Sequence, residues 1–178
     1  MITYSFDSSI TYINEWAIVQ LPSHISQALP SKGMNMGTIL IESISFVAVI
    51  EPDGNKGHWC HIPETRLTTI NTISKPSISI SLKLLDDWPN PPLSDDLTSA
   101  LRDACLMETW AHLTPKAQWE WLRWINFTAN PKTTKKRIQT TCDMLSKGKK
   151  RPCCFDYSRC TETAVCKGGQ LLLTDQDT

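Results

Sequence analysis

The sequence predicts an α+β protein in which a small β-barrel is followed by an α-helical module. Three observations carry that reading. Short apolar runs of strand length fill residues 16 to 84, three prolines punctuate Asp86 to Pro92, and beyond them the apolar period changes from two to 3.6.

The strands come first. Trp16-Ala17-Ile18-Val19-Gln20-Leu21 is an apolar run closed by Pro22, and the runs Gly37 to Ile41 and Phe46 to Ile50 flank Glu42-Ser43 as a hairpin would. Pro52-Asp53-Gly54 reads as a turn, because proline presets its φ and glycine accepts a positive one. A strand from His58 to Ile62 and a short helix from Pro63 to Asn71 follow. From Ser77 to Leu84 the alternation is strict, with Ile78, Ile80, Leu82 and Leu84 on one side and Ser79, Ser81 and Lys83 on the other. Five or six such strands must close or pack to bury their apolar face, which favours a barrel.

Helical periodicity takes over after Pro92. Ser94 caps a helix whose Leu97, Leu101 and Ala104 share a face, and Thr114-Pro115 opens the next, proline being favoured at the first helical position. Steps of about 100° over residues 117 to 129 gather Ala117, Trp121, Leu122, Ile125 and Ala129 inward. Glu120, Arg123 and Phe127 fall opposite, and Trp119 and Trp124 lie on the flanks, where one or the other is placed to seal the helix against the barrel. A last helix carries Ile138, Thr141, Cys142 and Leu145 at i, i+3, i+4 and i+7, with Gly148 as terminator. The expected organisation is a barrel over residues 1–88, a helical module over 93–151 and a flexible, cysteine-rich tail over 152–178.

Composition narrows the function classes. The chain has 178 residues, 40% of them apolar, and 18 basic against 18 acidic residues, so no global field attracts nucleic acid or membrane. Between Lys132 and Arg151, however, eight basic residues face a single acid, Asp143. Lys135, Lys136, Arg137, Lys147, Lys149, Lys150 and Arg151 are therefore the candidate surface for an anionic partner, nucleic acid included. The simpler reading is a solvated face whose cations complement a helix C-terminus. No apolar window reaches the length of a membrane span, which leaves the cytoplasm as the expected location. Seven cysteines, an odd number in a chain of this size, are expected as thiols.

Other sites are thinner. His58, Trp59 and Trp124 are candidates for a pocket at the seam between barrel and helices, open to a small molecule. Cys153, Cys154, Cys160 and Cys166 supply four thiolates, but adjacent cysteines are awkward ligands for one tetrahedral ion, so no metal and no cofactor are expected. His58 and Cys60 share one strand face and His61 the other. No nucleophile elbow, phosphate loop or zinc-protease helix is present, so a non-catalytic role is favoured over the alternative of an enzyme with its site at the seam, and no catalytic residue is named. No partner and no oligomeric state are assigned.

The helical segment resembles the bacteriocin-protection, YdeI/OmpD-associated family. The residues that carry the likeness are Leu93 to Leu101, Trp124-Ile125, Thr133-Thr134-Lys135-Lys136-Arg137-Ile138 and Leu145-Ser146-Lys147-Gly148-Lys149, in the family's order and spacing. Residues 1–88 resemble the small barrel domain of unknown function that often precedes this module. The chain departs in Glu42-Ser43, where glycine or asparagine is usual, and in Asn130-Pro131, where lysine is. The resemblance implies a double-split barrel joined to a helical hairpin, and a stress or peptide-tolerance role exercised by binding; it brings no catalytic residue.

Overall fold

The computed structural model describes residues 2–70 and 76–172. They form two compact units: residues 2–86 with 157–160 and 164–172, and Asp87–Asp156 with Thr161–Thr163.

The first unit is a seven-stranded antiparallel sheet built from β1 (Thr3–Ser8), β2 (Ile10–Ile13), β3 (Trp16–Gln20), β4 (Asn35–Ile41), β5 (Ile44–Pro52), β6 (His58–His61) and β7 (Ile78–Leu84). Their order is β1-β7-β4-β5-β6-β3-β2. β1 and β2 stand at opposite ends of that order, yet only Ser9 separates them in the chain. The sheet must curl until its edges meet there, and Ser8 Oγ donates to the Gln20 carbonyl at 3.0 Å across the gap. The expected barrel is thus present as a curled half-barrel.

Inside the curl lie Phe6, Val19, Ile39, Ile41, Ile50, Ile80 and Leu82. The alternation of β7 is as predicted, with Ile78, Ile80, Leu82 and Leu84 all buried. The hairpin turn is tight enough to hold Glu42 at φ 55°. Two short helices, α1 (Ser23–Ala28) and α2 (Glu64–Ile70), add Ile25 and Ile70 to the core; Asn71, expected in the second, lies outside the described residues. β1 and β2 were not foreseen, because Thr3-Tyr4-Ser5-Phe6-Asp7-Ser8 dilutes its apolar positions with polar ones.

The outer face of β3 and β6 is covered from far along the chain. Ile13, Ile18 and Trp59 pack against Cys160, Val165 and Leu171. A hairpin of two-residue strands, Cys166–Lys167 and Gln170–Leu171, carries the last of these, and Leu171 N–H donates to the Asp53 carbonyl at 2.8 Å. Gly54 sits at φ 80°, where a Cβ would also run into the Gly169 carbonyl. Of the segment expected as a tail over 152–178, Cys160, Val165 and Leu171 are buried and Leu171 is bonded to the sheet unit's backbone, and 173–178 lie outside the described residues. The expectation of seven thiols fails, since Cys160 and Cys166 form a disulfide.

The second unit contains α3 (Asp95–Asp103), α4 (Met107–Ala111), α5 (Pro115–Asn126) and α6 (Pro131–Ser146) around Leu97, Leu101, Trp110, Trp121, Ile125, Ile138 and Leu145. Each long helix starts on a side-chain cap. Ser94 Oγ accepts from Leu97 N–H and Thr114 Oγ1 from Ala117 N–H, both at 3.3 Å, and Asn130 Oδ1 accepts from Lys132 N–H at 3.0 Å. Asn130-Pro131 is thus a cap and first-turn pair, not an interruption. α6 closes as foreseen: Gly148 at φ 75° donates to the Leu145 carbonyl and Lys149 to that of Met144, a Schellman motif. Ala104 and Ala129, expected inward, are exposed because their helices stop at Asp103 and Asn126.

Alkylation of denatured, unreduced protein should label five cysteines, and seven only after reduction. Cys160→Ser should lower unfolding stability by about 2 kcal/mol in chemical denaturation, the loop-closure value for so short a ring. Seven labelled without reductant would contradict the pairing.

Candidate functional site

The helical unit sorts its charges into two groups. Arg137 projects from the first half of α6 and donates through Nη1 to the carbonyls of Trp124 and Phe127, at 2.7 and 2.8 Å. These belong to the last turn and cap of α5, where carbonyls lack helical partners. The guanidinium carbon also lies 5.4 Å from the Trp124 ring centre and 6.0 Å from that of Phe127. Arg137 is therefore occupied in joining α5 to α6.

Glu120 and Arg123, expected on the outward face of α5, are each only 5% exposed. The cause is a covering segment that helical periodicity cannot reveal. Arg123 Nε donates to Thr161 Oγ1 at 3.2 Å, and its guanidinium lies 5.6 Å from the Phe155 ring centre. Glu120 Oε2 faces Arg151 Nε at 3.2 Å, an ion pair without an aligned hydrogen bond at that oxygen. Desolvation pushes the Glu120 carboxyl above the usual range, opposed by Arg151, Lys116 and Arg123.

The tryptophans are similarly committed. Trp121 is in the core, donates through Nε1 to the Lys150 carbonyl at 3.1 Å and meets Trp124 edge-on at 5.9 Å. Trp119 Nε1 donates to the Pro89 carbonyl at 2.9 Å. Within this unit, then, both flanking tryptophans have partners.

What remains is an exposed lysine surface. Lys132, Lys136 and, at the C-cap, Lys147 fall on the side opposite Ile138, Thr141 and Leu145, Lys135 lies exposed on the flank, and Lys149 and Lys150 follow the helix. Asp143 lies within that stripe and pairs with Lys147 at 2.8 Å. Of the seven predicted basic residues, Arg137 and Arg151 are tied to structural partners and Lys147 to Asp143, while Lys135, Lys136, Lys149 and Lys150 present their charges to solvent.

In the sheet unit, His58 and Trp59 are 2% and 1% exposed. His58 Nε2 lies 3.1 Å from the Gly33 carbonyl, and burial holds its basicity below the usual histidine range. His61 is half-buried, and its ring lies against that of Trp16 with centroids 4.3 Å apart. Strand alternation had already put His61 on the face away from His58, so that signal was legible. Trp124 belongs to the other unit. Of the four candidate metal ligands, Cys160 and Cys166 are bonded to each other and Cys153 and Cys154 are exposed. Among the described residues no three metal-binding side chains stand together, and no helix is long and apolar enough to cross a membrane.

Residues 90–148 match the family model described as bacteriocin-protection, YdeI or OmpD-associated. No curated protein matches the chain.

Arg137→Ala should cost about 2 kcal/mol of stability, as expected for two charge-assisted bonds at a half-buried site, and Arg137→Lys should recover less than half of it in urea unfolding. Glu120 sets a pH dependence of definite sign. Its folded-state pKa lies above the unfolded one, so the native state holds the extra proton and stability falls as pH rises from the ordinary glutamate range through the raised value. Glu120→Gln should flatten that slope in denaturation curves taken from pH 4 to 7. An unchanged slope would remove Glu120 as its source.

Proposed function

We propose that this chain, whose residues 90–148 carry the bacteriocin-protection, YdeI or OmpD-associated module, is a non-catalytic binding protein that supports tolerance of antimicrobial peptides in the cytoplasm. One observation carries the binding reading. The buried and half-buried charges of the module, Glu120, Arg123 and Arg137, hold its shape, whereas Lys132, Lys135, Lys136, Lys149 and Lys150 are left to solvent. Clustered, unpaired lysines at the surface suit an anionic partner by counterion release. A cationic peptide would be repelled by this stripe, so the tolerance role runs through an anionic component of the cell. Nucleic acid is the second reading, favoured by the same stripe. The compartment has its own test: thiol labelling of the protein in intact cells should find Cys160 and Cys166 free, and finding them bonded to each other there would count against the cytoplasm.

The stripe can be removed without touching the core, because Lys132, Lys135 and Lys136 are exposed. The triple Lys→Gln variant should keep its melting temperature and lose affinity for a mixed-sequence RNA, a duplex DNA or heparin by about tenfold at low salt, with a shallower salt slope. Expression of the native chain in a peptide-sensitive bacterium should raise survival under bacteriocin, and the variant should not. Absence of binding to all three polyanions at micromolar protein, or equal protection by the variant, would defeat the proposal.

A further inference from the structure

We propose that a cleft of about 560 Å³ beside the β3–β6 pair is a binding site for an organic cation, an ammonium or guanidinium group carried on a small apolar body. It is separate from the lysine stripe and does not rest on it. Glu15, Trp16, His61, Ile62, Glu64 and Leu67 line the cleft.

The site is assembled by ordinary strand geometry. His61 is the register partner of Ile18, and Trp16 stands two residues away on the neighbouring strand, so the two rings share a face as diagonal neighbours. Their centroids are 4.3 Å apart with planes inclined by 37°, which makes one continuous aromatic wall. Ile62 N–H donates to the Ala17 carbonyl at 2.9 Å and closes the backbone behind it. Glu64 enters from the first turn of α2, and Leu67 follows one turn later on the same side. Glu15 enters from the turn between β2 and β3, next to Asn14 at φ 52°.

Chemistry selects the ligand. Both acidic lining residues are exposed glutamates, and among the described residues no lysine or arginine lines the cleft, so an anionic ligand is disfavoured. The negative face of an indole attracts a cation, and nearby carboxylates strengthen the same preference. Glu64 also complements the helix start of α2, but Glu15 lies outside any helix and has no such role. The volume lies within the range of small-molecule sites, large enough for a charged head and its stem. Such a cation has two sources, a free amine or quaternary ammonium compound and the lysine or arginine side chain of a basic peptide.

The test follows the indole N–H resonance of Trp16 in the full chain, assigned with Trp16→Phe, during titration with choline, argininamide, an arginine-rich peptide and the neutral choline isostere 3,3-dimethylbutan-1-ol. Choline or argininamide should move it saturably at millimolar concentration and the isostere should not. The double variant Glu15→Gln, Glu64→Gln should weaken binding about tenfold with an unchanged melting temperature, and the triple lysine variant should leave it intact. If Trp16→Phe is unstable, the double variant still decides the matter. A peptide that saturates the shift well below argininamide identifies the peptide source; equal concentrations identify the free cation. No saturable shift with any cation, equal binding of the isostere, or indifference to the double variant would overturn the proposal.

Discussion

Backbone groups left unpaired at helix ends and sheet edges must find partners, and that requirement shapes both units of this chain. In the helical unit the free N–H groups go to Ser94, Thr114 and Asn130, and the free carbonyls go to Gly148, Lys149 and, at the end of α5, to Arg137. The last is the most consequential, because the donor sits on the following helix. It fixes the turn from α5 into α6 and so decides which residues of α6 face the core. In the sheet unit each inner strand pairs on both sides, and the two end strands are drawn together at Ser9, where Ser8 Oγ donates to the Gln20 carbonyl.

Charge is partitioned by that geometry. A glutamate and an arginine on α5 are closed in by other segments, Glu120 facing Arg151 and Arg123 facing Thr161 and Phe155, at a cost in desolvation that the Glu120 carboxyl registers. The lysines of α6 remain hydrated because the opposite face of that helix supplies Ile138, Thr141 and Leu145 to the core. The two groups of charges thus have opposite meanings, one specifying shape and the other presenting a surface.

Much of this was legible in the amino-acid order where the signal is local. The alternation of β7, the hairpin between β4 and β5, the caps at Ser94 and Thr114 and the stop at Gly148 depend on neighbours a few residues away. What escaped depends on contacts distant along the chain. Glu120 and Arg123 lie on a face that a helical wheel assigns to water, and only Phe155, Thr161 and Arg151 make it interior. Strands of two residues at Cys166–Lys167 and Gln170–Leu171 have no period to detect, and the pairing of Cys160 with Cys166 is one of many that seven cysteines permit. The family likeness of the helical segment was readable because Arg137, Ile138 and Gly148 work within that segment alone. For the candidate cleft, alternation separated His61 from His58 but did not bring Trp16 to it; the register of β3 on β6 did.

The return of residues 157–160 and 164–172 to the sheet makes the helical unit a topological insertion within the other. A ribosome completes every strand of the curled sheet by Leu84, yet Ile18 and Trp59 stay without their apolar cover until Val165 and Leu171 have emerged. The sheet is therefore made before the helical unit but covered only after it, and through that interval its outer face is an exposed hydrophobic patch for chaperones or aggregation to find.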